Sequence, residues 1–584
     1  MKSSLRTKGL GFAAVLIPVI ACFLYFRFVV PYHICFKEQI QLFLFRSTYI
    51  LSYFSKPAAL ACLGGDFLTQ FLYFKTGGAV VVTLLLVMEW WLIFLILKRF
   101  SFVATGHAPS LQTLCATSLL PVIIEWIAYP KLSFSVALSI SFILALSVFL
   151  GYAKTTGKIS IVIGILLIPI LYIMAGTSVF LFLILVVLYE IHCGRKRFVY
   201  WSALSGLAVA LPILLRHSYL LTFKQAYLYP YSDVKQALSL VTLALMVLLL
   251  VCFGKLRGLK FGVWANVIRA NVIRPYVLGI VLGFVLIAGL VKTMDRKREN
   301  LFGIMIEAYH ENWDKVLAIA ESEELQNPIA ACYTNIALSK KSLLGERLMD
   351  FYQPFVSGLL PYVPKSGWSV IFAGCDAYYH IGDLDIAQHG AMVGMIFSPN
   401  QRSARMVERL AEINLAIGDI PAATKYLRIL ESTLFHKKSP DRFELQPHQA
   451  ILKEDMIHKS TDIRVSLELL TESNPDNLPA LDYLLCYHLL TKNIPAFFKV
   501  YTSYGKGKYR HVPKAYAEAL LIYFAAKQST MKEVSSYGID AEIIKAFGEY
   551  TRLYEQSDGN LAPMQEKFSN TYWLFYHFAT VKND

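Results

Sequence analysis

Residues 292 to 321 read KTMDRKRENLFGIMIEAYHENWDKVLAIAE, and within them the chain changes solvent. The residues just before, VLGIVLGFVLIAGLV, are a run of apolar side chains without a charge. Those after carry charges at helical spacing around an apolar stripe, the pattern of a water-facing amphipathic helix. This seam predicts two domains: a transmembrane bundle over 1–293, and an all-α domain over 294–584.

Composition agrees with the division. The 584 residues are 56% hydrophobic and 14% aromatic, too apolar for an ordinary soluble chain of this length. Residues 1–294 hold 25 Lys and Arg but six acids, Glu38, Asp66, Glu89, Glu125, Glu190 and Asp233. The remainder holds 31 basic and 35 acidic residues, so the basic pI of about 9.2 belongs to the first half. That excess flanks hydrophobic runs, where Lys and Arg fix orientation, and the second half has no basic stripe, which argues against nucleic acid as a partner. The nine cysteines show no CxxC pair or zinc spacing and read as small core residues.

Apolar runs near 10–30, 79–97, 110–128, 133–151, 200–215, 235–253 and 275–291 approach the length that crosses a bilayer as a helix. Residues 159–192 are longer, with basic flanks KTTGK and GRKR that both look cytoplasmic, so a pair of short helices breaking at Gly176, Thr177 and Ser178 is expected. The sum is about nine spans in the lipid bilayer. Lys2, Arg6 and Lys8 place the N-terminus inside, and the alternate loops assigned inside hold 15 basic residues against eight outside. The odd count sends the C-terminal domain out. The first run has a basic lead and no A-x-A site, so it reads as an uncleaved anchor. The expected location is a bacterial inner membrane, N-terminus cytoplasmic and C-terminal domain periplasmic, although KTMDRKREN is itself basic.

In the second half, Ile381, Gly382, Asp383 and Ala387 recur 36 residues later as Ile417, Gly418, Asp419 and Ala423. Gly supplies a left-handed helix end and Asp the next N-cap. Asn312 and Asn493 echo the turn at about two repeat lengths on either side, and 435–460 interrupts it. The pattern resembles a degenerate tetratricopeptide repeat, a stack of helix pairs with a concave face for a protein partner, here a periplasmic one. Its Trp, Tyr and His residues read as packing. No His pair has the HExxH spacing.

The candidate chemistry lies in the outer loops, of which 31–77 is the longest. Within it KEQIQLFLFRSTYIL reads as an interfacial amphipathic stretch, and the Gly-Gly of LACLGGDFLTQFLYF as a turn presenting Asp66. The next long outer loop, RHSYLLTFKQAYLYPYSD, ends at Asp233. Glu38, Asp66 and Asp233 are candidate catalytic carboxylates, with Arg46, Arg216 and Lys224 as phosphate-binding cations; a divalent metal is a candidate cofactor. The competing reading is solvated loop charge. Glu89 is the acid well inside a span, where a carboxyl is costly.

An N-terminal span, a long first outer loop with acids, many short spans and an exported helical domain together resemble the GT-C class of membrane glycosyltransferases. That resemblance implies transfer of a sugar from a polyprenyl-phosphate carrier at the periplasmic face, although the paired acids typical after the first span are reduced to Glu38 beside Lys37. The EQIQLF loop and the repeat half also resemble an uncharacterised family of Gram-negative polytopic membrane proteins, which implies no activity. The alternative is a non-catalytic, membrane-anchored scaffold for envelope assembly.

Overall fold

The computed structural model describes residues 16–105, 111–256, 275–323, 325–361, 367–398, 401–437 and 462–580. The basic N-terminus, residues 257–274 of the expected inner loop 254–274 and most of the repeat interruption lie outside them. The described residues are helical, with no strand among them, and form two compact units, Met1–Asp295 with Ser432–Phe435, and Arg296–Glu431 with His436–Asp584.

Helices of seven or more residues in the first unit are α1 (Leu16–Val29), α2 (Pro31–Gln39), α3 (Ala59–Thr69), α4 (Lys75–Thr105), α5 (Leu111–Ala128), α6 (Val136–Tyr152), α7 (Gly157–Ala175), α8 (Val179–His192), α9 (Phe198–Leu215), α10 (Leu238–Leu256) and α11 (Pro275–Thr293). Four helical runs are long and apolar enough to cross a membrane: Lys75–Phe100, Gly157–His192, Phe198–Leu215 and Val234–Cys252. A fifth arises if α1 and α2, bent by 70° at Val30, count as one. The expectation of nine spans is therefore corrected. The apolar stretches Leu114–Ala128, Val136–Tyr152 and Gly279–Thr293, within α5, α6 and α11, are shorter among the described residues.

The run Gly157–His192 folds back on itself. Arg197 donates to Ser160 Oγ at 3.0 Å and to the Gly157 carbonyl at 3.2 Å, at the start of α7, and pairs with Glu190 at 3.4 Å, near the end of α8. A single guanidinium cannot bridge the ends of a straight 36-residue helix, which would be about 54 Å apart. The chain reverses through the 3₁₀ turn Gly176–Ser178, where Gly176 has φ 63° and ψ −129°, a conformation reserved for glycine.

Loops expected on one side meet at one end of this unit. Gln236 reaches the Ser133 carbonyl at 3.0 Å, Thr177 N–H bonds the Tyr229 carbonyl at 2.9 Å, and Ala58 N–H bonds the Tyr172 carbonyl at 3.3 Å. At the other end Tyr152 donates to Glu190 at 3.1 Å and Arg99 to the Ala153 carbonyl.

Two expectations in loop 31–77 are overturned. Gly64 and Gly65 lie inside α3 rather than in a turn. A Cβ on Gly65 would stand 2.5 Å from the Ala137 backbone, so glycine lets α3 and α6 touch. The stretch 37–51 is no amphipathic helix, because α2 ends at Gln39, the chain then extends, and Leu42 and Phe43 are buried.

The second unit contains α12 (Arg296–Tyr309), α13 (Trp313–Ser322), α14 (Pro328–Lys340), α15 (Trp368–Ile381), α16 (Leu384–Phe397), α17 (Ala404–Ile417), α18 (Ile420–Leu430), α19 (Ile463–Ser473), α20 (Leu478–Leu490), α21 (Ile494–Val500), α22 (Lys514–Ala526), α23 (Ala541–Gln556), α24 (Leu561–Phe568) and α25 (Tyr572–Phe578). The Gly-Asp turns form as expected. Gly382 and Gly418 end α15 and α17 at φ 94° and 88°, while Asp383 and Asp419 accept from Ile386 N–H at 3.2 Å and Ala422 N–H at 3.0 Å. Asn493 caps α21 in the same way, at 3.2 Å from Ala496 N–H. Asn312 occupies the cap position of α13 but turns its amide to Glu307, at 2.9 Å.

Candidate functional site

The predicted site residues fall into two groups at the loop end of the first unit. Glu38, near the end of α2, is buried; Gln41 joins it to α3, its N–H bonding the Glu38 carbonyl at 3.0 Å and its side chain the Asp66 carbonyl at 2.9 Å. The Asp66 carboxylate accepts from Tyr53 Oη at 2.6 Å, and Tyr53 in turn bonds Tyr49 at 2.8 Å. Burial, with Asp66 alongside, pushes the Tyr53 phenol up, so it stays a donor. Arg46 is exposed and donates to Ser432 Oγ at 2.8 Å.

The second group belongs to loop 216–234. Arg216 is half-buried beside His217 at 3.4 Å, and Lys224 is exposed in a short helix capped by Thr222 and Gln225. Asp233 is exposed, and its carbonyl closes the next turn by accepting from Gln236 N–H at 3.1 Å. Tyr229 lies close enough to Asp66 to feel its charge and so brings this loop toward the first group. Among the described residues no group of three or more His, Cys, Asp and Glu side chains is arranged to hold a metal ion.

A third set of groups was only half visible in the sequence. Glu89, in the middle of α4, is wholly buried and lies beside Glu125 of α5. Glu125 accepts from Ser139 at 2.7 Å and Ser239 at 2.8 Å. Lys37 is buried next to this set, donating to the Tyr129 carbonyl at 2.5 Å and the Phe134 carbonyl at 2.6 Å. The costliness of an intramembrane acid singled out Glu89. Nothing local shows that a carboxyl 36 residues on would meet it.

The second unit holds a buried ionic cluster that sequence reasoning missed. Asp376 of α15 pairs with Arg405 and, at 3.0 Å, with Arg409, both on α17. Tyr333 of α14 donates to Asp376 at 2.7 Å, and Arg405 donates to the Met305 carbonyl of α12 at 3.1 Å. Burial opposes the charge on Asp376, and the two guanidiniums outweigh it, holding the carboxyl below its ordinary range. The available signal was two arginines one turn apart, Arg405 and Arg409, in a helix that also carries Glu408 and Glu412. A cavity of about 390 Å³ elsewhere in this unit is bordered by Glu321, Arg347 and Asp350. Arg347 is already paired there with both acids, each at 2.9 Å.

These features define an all-helical protein with apolar helices compatible with a membrane and a second helical unit built around a buried ionic cluster. The chain belongs to DUF6057, a family of unknown function whose profile matches residues 6–579. No curated protein and no solved structure matches it. The family match brings with it neither the tetratricopeptide likeness nor the GT-C likeness.

Proposed function

We propose that this is a membrane-anchored scaffold of the bacterial envelope, with the first unit in the inner membrane and the second a periplasmic, tetratricopeptide-like stack for a protein partner. The observation that carries this reading is the second unit's own interior. Four of its helices are tied by Asp376, Arg405, Arg409 and Tyr333, and its paired helices are capped independently of the first unit. A photo-crosslinker at exposed Ile417 or Lys425 of the full chain should capture one discrete partner. No crosslink, together with rescue of a deletion strain by the first unit alone, contradicts it.

A second reading rests on Glu38 and Asp66 standing on two segments that Gln41 ties together through their backbone carbonyls. It is a GT-C-like transfer of a sugar from a polyprenyl-phosphate donor, with Glu38, Asp66 or Asp233 as base and Arg46, Arg216 and Lys224 on the phosphate. Complementation separates the two. Loss of a general base typically costs 10² to 10⁴ in rate, so Glu38→Gln and Asp66→Asn, expressed and folded, abolish rescue under the transferase reading. Under the scaffold reading both complement fully.

A further inference from the structure

Two carboxyl groups are buried side by side in the first unit, and their surroundings treat them unequally. Each Glu125 oxygen accepts a serine hydroxyl, Ser139 at 2.7 Å on one and Ser239 at 2.8 Å on the other. Neither oxygen of Glu89 meets a donor at hydrogen-bonding geometry, although the residue is wholly buried. Its polar neighbours are the Glu125 carboxyl and the Ser139 hydroxyl, whose proton is already given to Glu125.

Two adjacent carboxylates in a low-dielectric interior cannot both ionise cheaply, and hydrogen bonds to one of them select which carries the charge. Glu125 has the donors. Glu89 has none, and a bare carboxylate there would be buried without compensation. A protonated Glu89 supplies the missing donor itself, toward Glu125.

We propose that Glu89 and Glu125 form a proton-binding pair inside the bundle, Glu89 holding the proton and Glu125 the charge. Tyr129 Oη donates to Ser139 Oγ at 3.1 Å, and the Tyr129 ring lies 5.2 Å from the Lys37 ammonium. The titratable groups facing the pair from neighbouring elements are Tyr129 and Tyr231, with Cys22 beside Tyr129 and Lys37 behind it. The pair stands independently of the scaffold and transferase readings, since it needs neither a partner protein nor a donor lipid.

The test is infrared spectroscopy of the full chain in lipid nanodiscs, with glutamate labelled at its carboxyl carbon and the protonated C=O band followed at neutral pH. Glu89→Gln should fold, because the amide has the shape of the protonated acid, and should lose one band. Glu125→Gln should keep it. A Glu89→Gln chain with an unchanged spectrum overturns the proposal, as does loss of the band in Glu125→Gln alone. A Glu89→Gln chain that fails to fold also contradicts it, because a neutral Glu89 has a neutral substitute.

Discussion

Asp376 shows what a buried charge does in the second unit. Its carboxylate pairs with two buried guanidiniums, Arg405 and Arg409, the second of them also paired with Glu412 at 2.8 Å, so Asp376→Asn should destabilise this unit by about 3–5 kcal/mol. Urea melting of the full chain, followed by hydrogen exchange in α14, α15 and α17, measures it; an unchanged midpoint contradicts the assignment. Its folded-state value lies below the unfolded value of about 3.9, so this contribution is present above that pH and is lost as pH falls through the folded value. Glu518 has the opposite sign. Burial raises its carboxyl to about 8 although Tyr572 N–H donates to it, so its contribution is full below about pH 4.3 and is lost as pH rises toward 8. Hydrogen exchange in α22 and α25 should therefore quicken between pH 5 and 8, with a slope of at most about 1.4 kcal/mol per pH unit, one proton's limit. Glu518→Gln should flatten it. Little of this was legible in the sequence. Arg405 and Arg409 find their carboxylate on another helix, and a helix pattern alone does not reveal a partner 29 or 33 residues away.

Turns were the most legible elements, because their chemistry is local. The repeat of Gly-Asp at a shift of 36 residues fixed two helix ends and two caps, and both form. Gly418 has open space around a would-be Cβ, so Gly418→Ala tests the left-handed backbone alone and should cost about 1–2 kcal/mol. Asp419→Ala should cost about 0.5–2 kcal/mol through the lost cap. Thermal melting of the two variants checks both values; neither should change the fold. Gly176 combines both kinds of constraint. A Cβ there would stand 2.1 Å from the Tyr229 carbonyl oxygen, so Gly176→Ala should disrupt the α7–α8 reversal and the Thr177 bond to Tyr229. The span count was less legible. Hydropathy located the apolar runs but overcounted the crossings, since four helical runs, or five with the bent pair, are long and apolar enough among the described residues. The Gly64-Gly65 pair misled for a related reason. Glycine marks either a turn or a close approach, and only the presence of Ala137 against Gly65 decides between them.

For the whole molecule, the composition changes at the seam 292–321, and the described chain forms two compact units, Met1–Asp295 with Ser432–Phe435 and Arg296–Glu431 with His436–Asp584. Sidedness is written more faintly, in loop charges that mostly agree and in KTMDRKREN, which points the other way. The proposed topology embeds the first unit in the inner membrane and delivers the second to the periplasm. Alkaline phosphatase joined after Asp295 should be active in the host and a green fluorescent protein at the same position dark. An inactive phosphatase with a bright fluorescent fusion would place the second unit in the cytoplasm and contradict the claim.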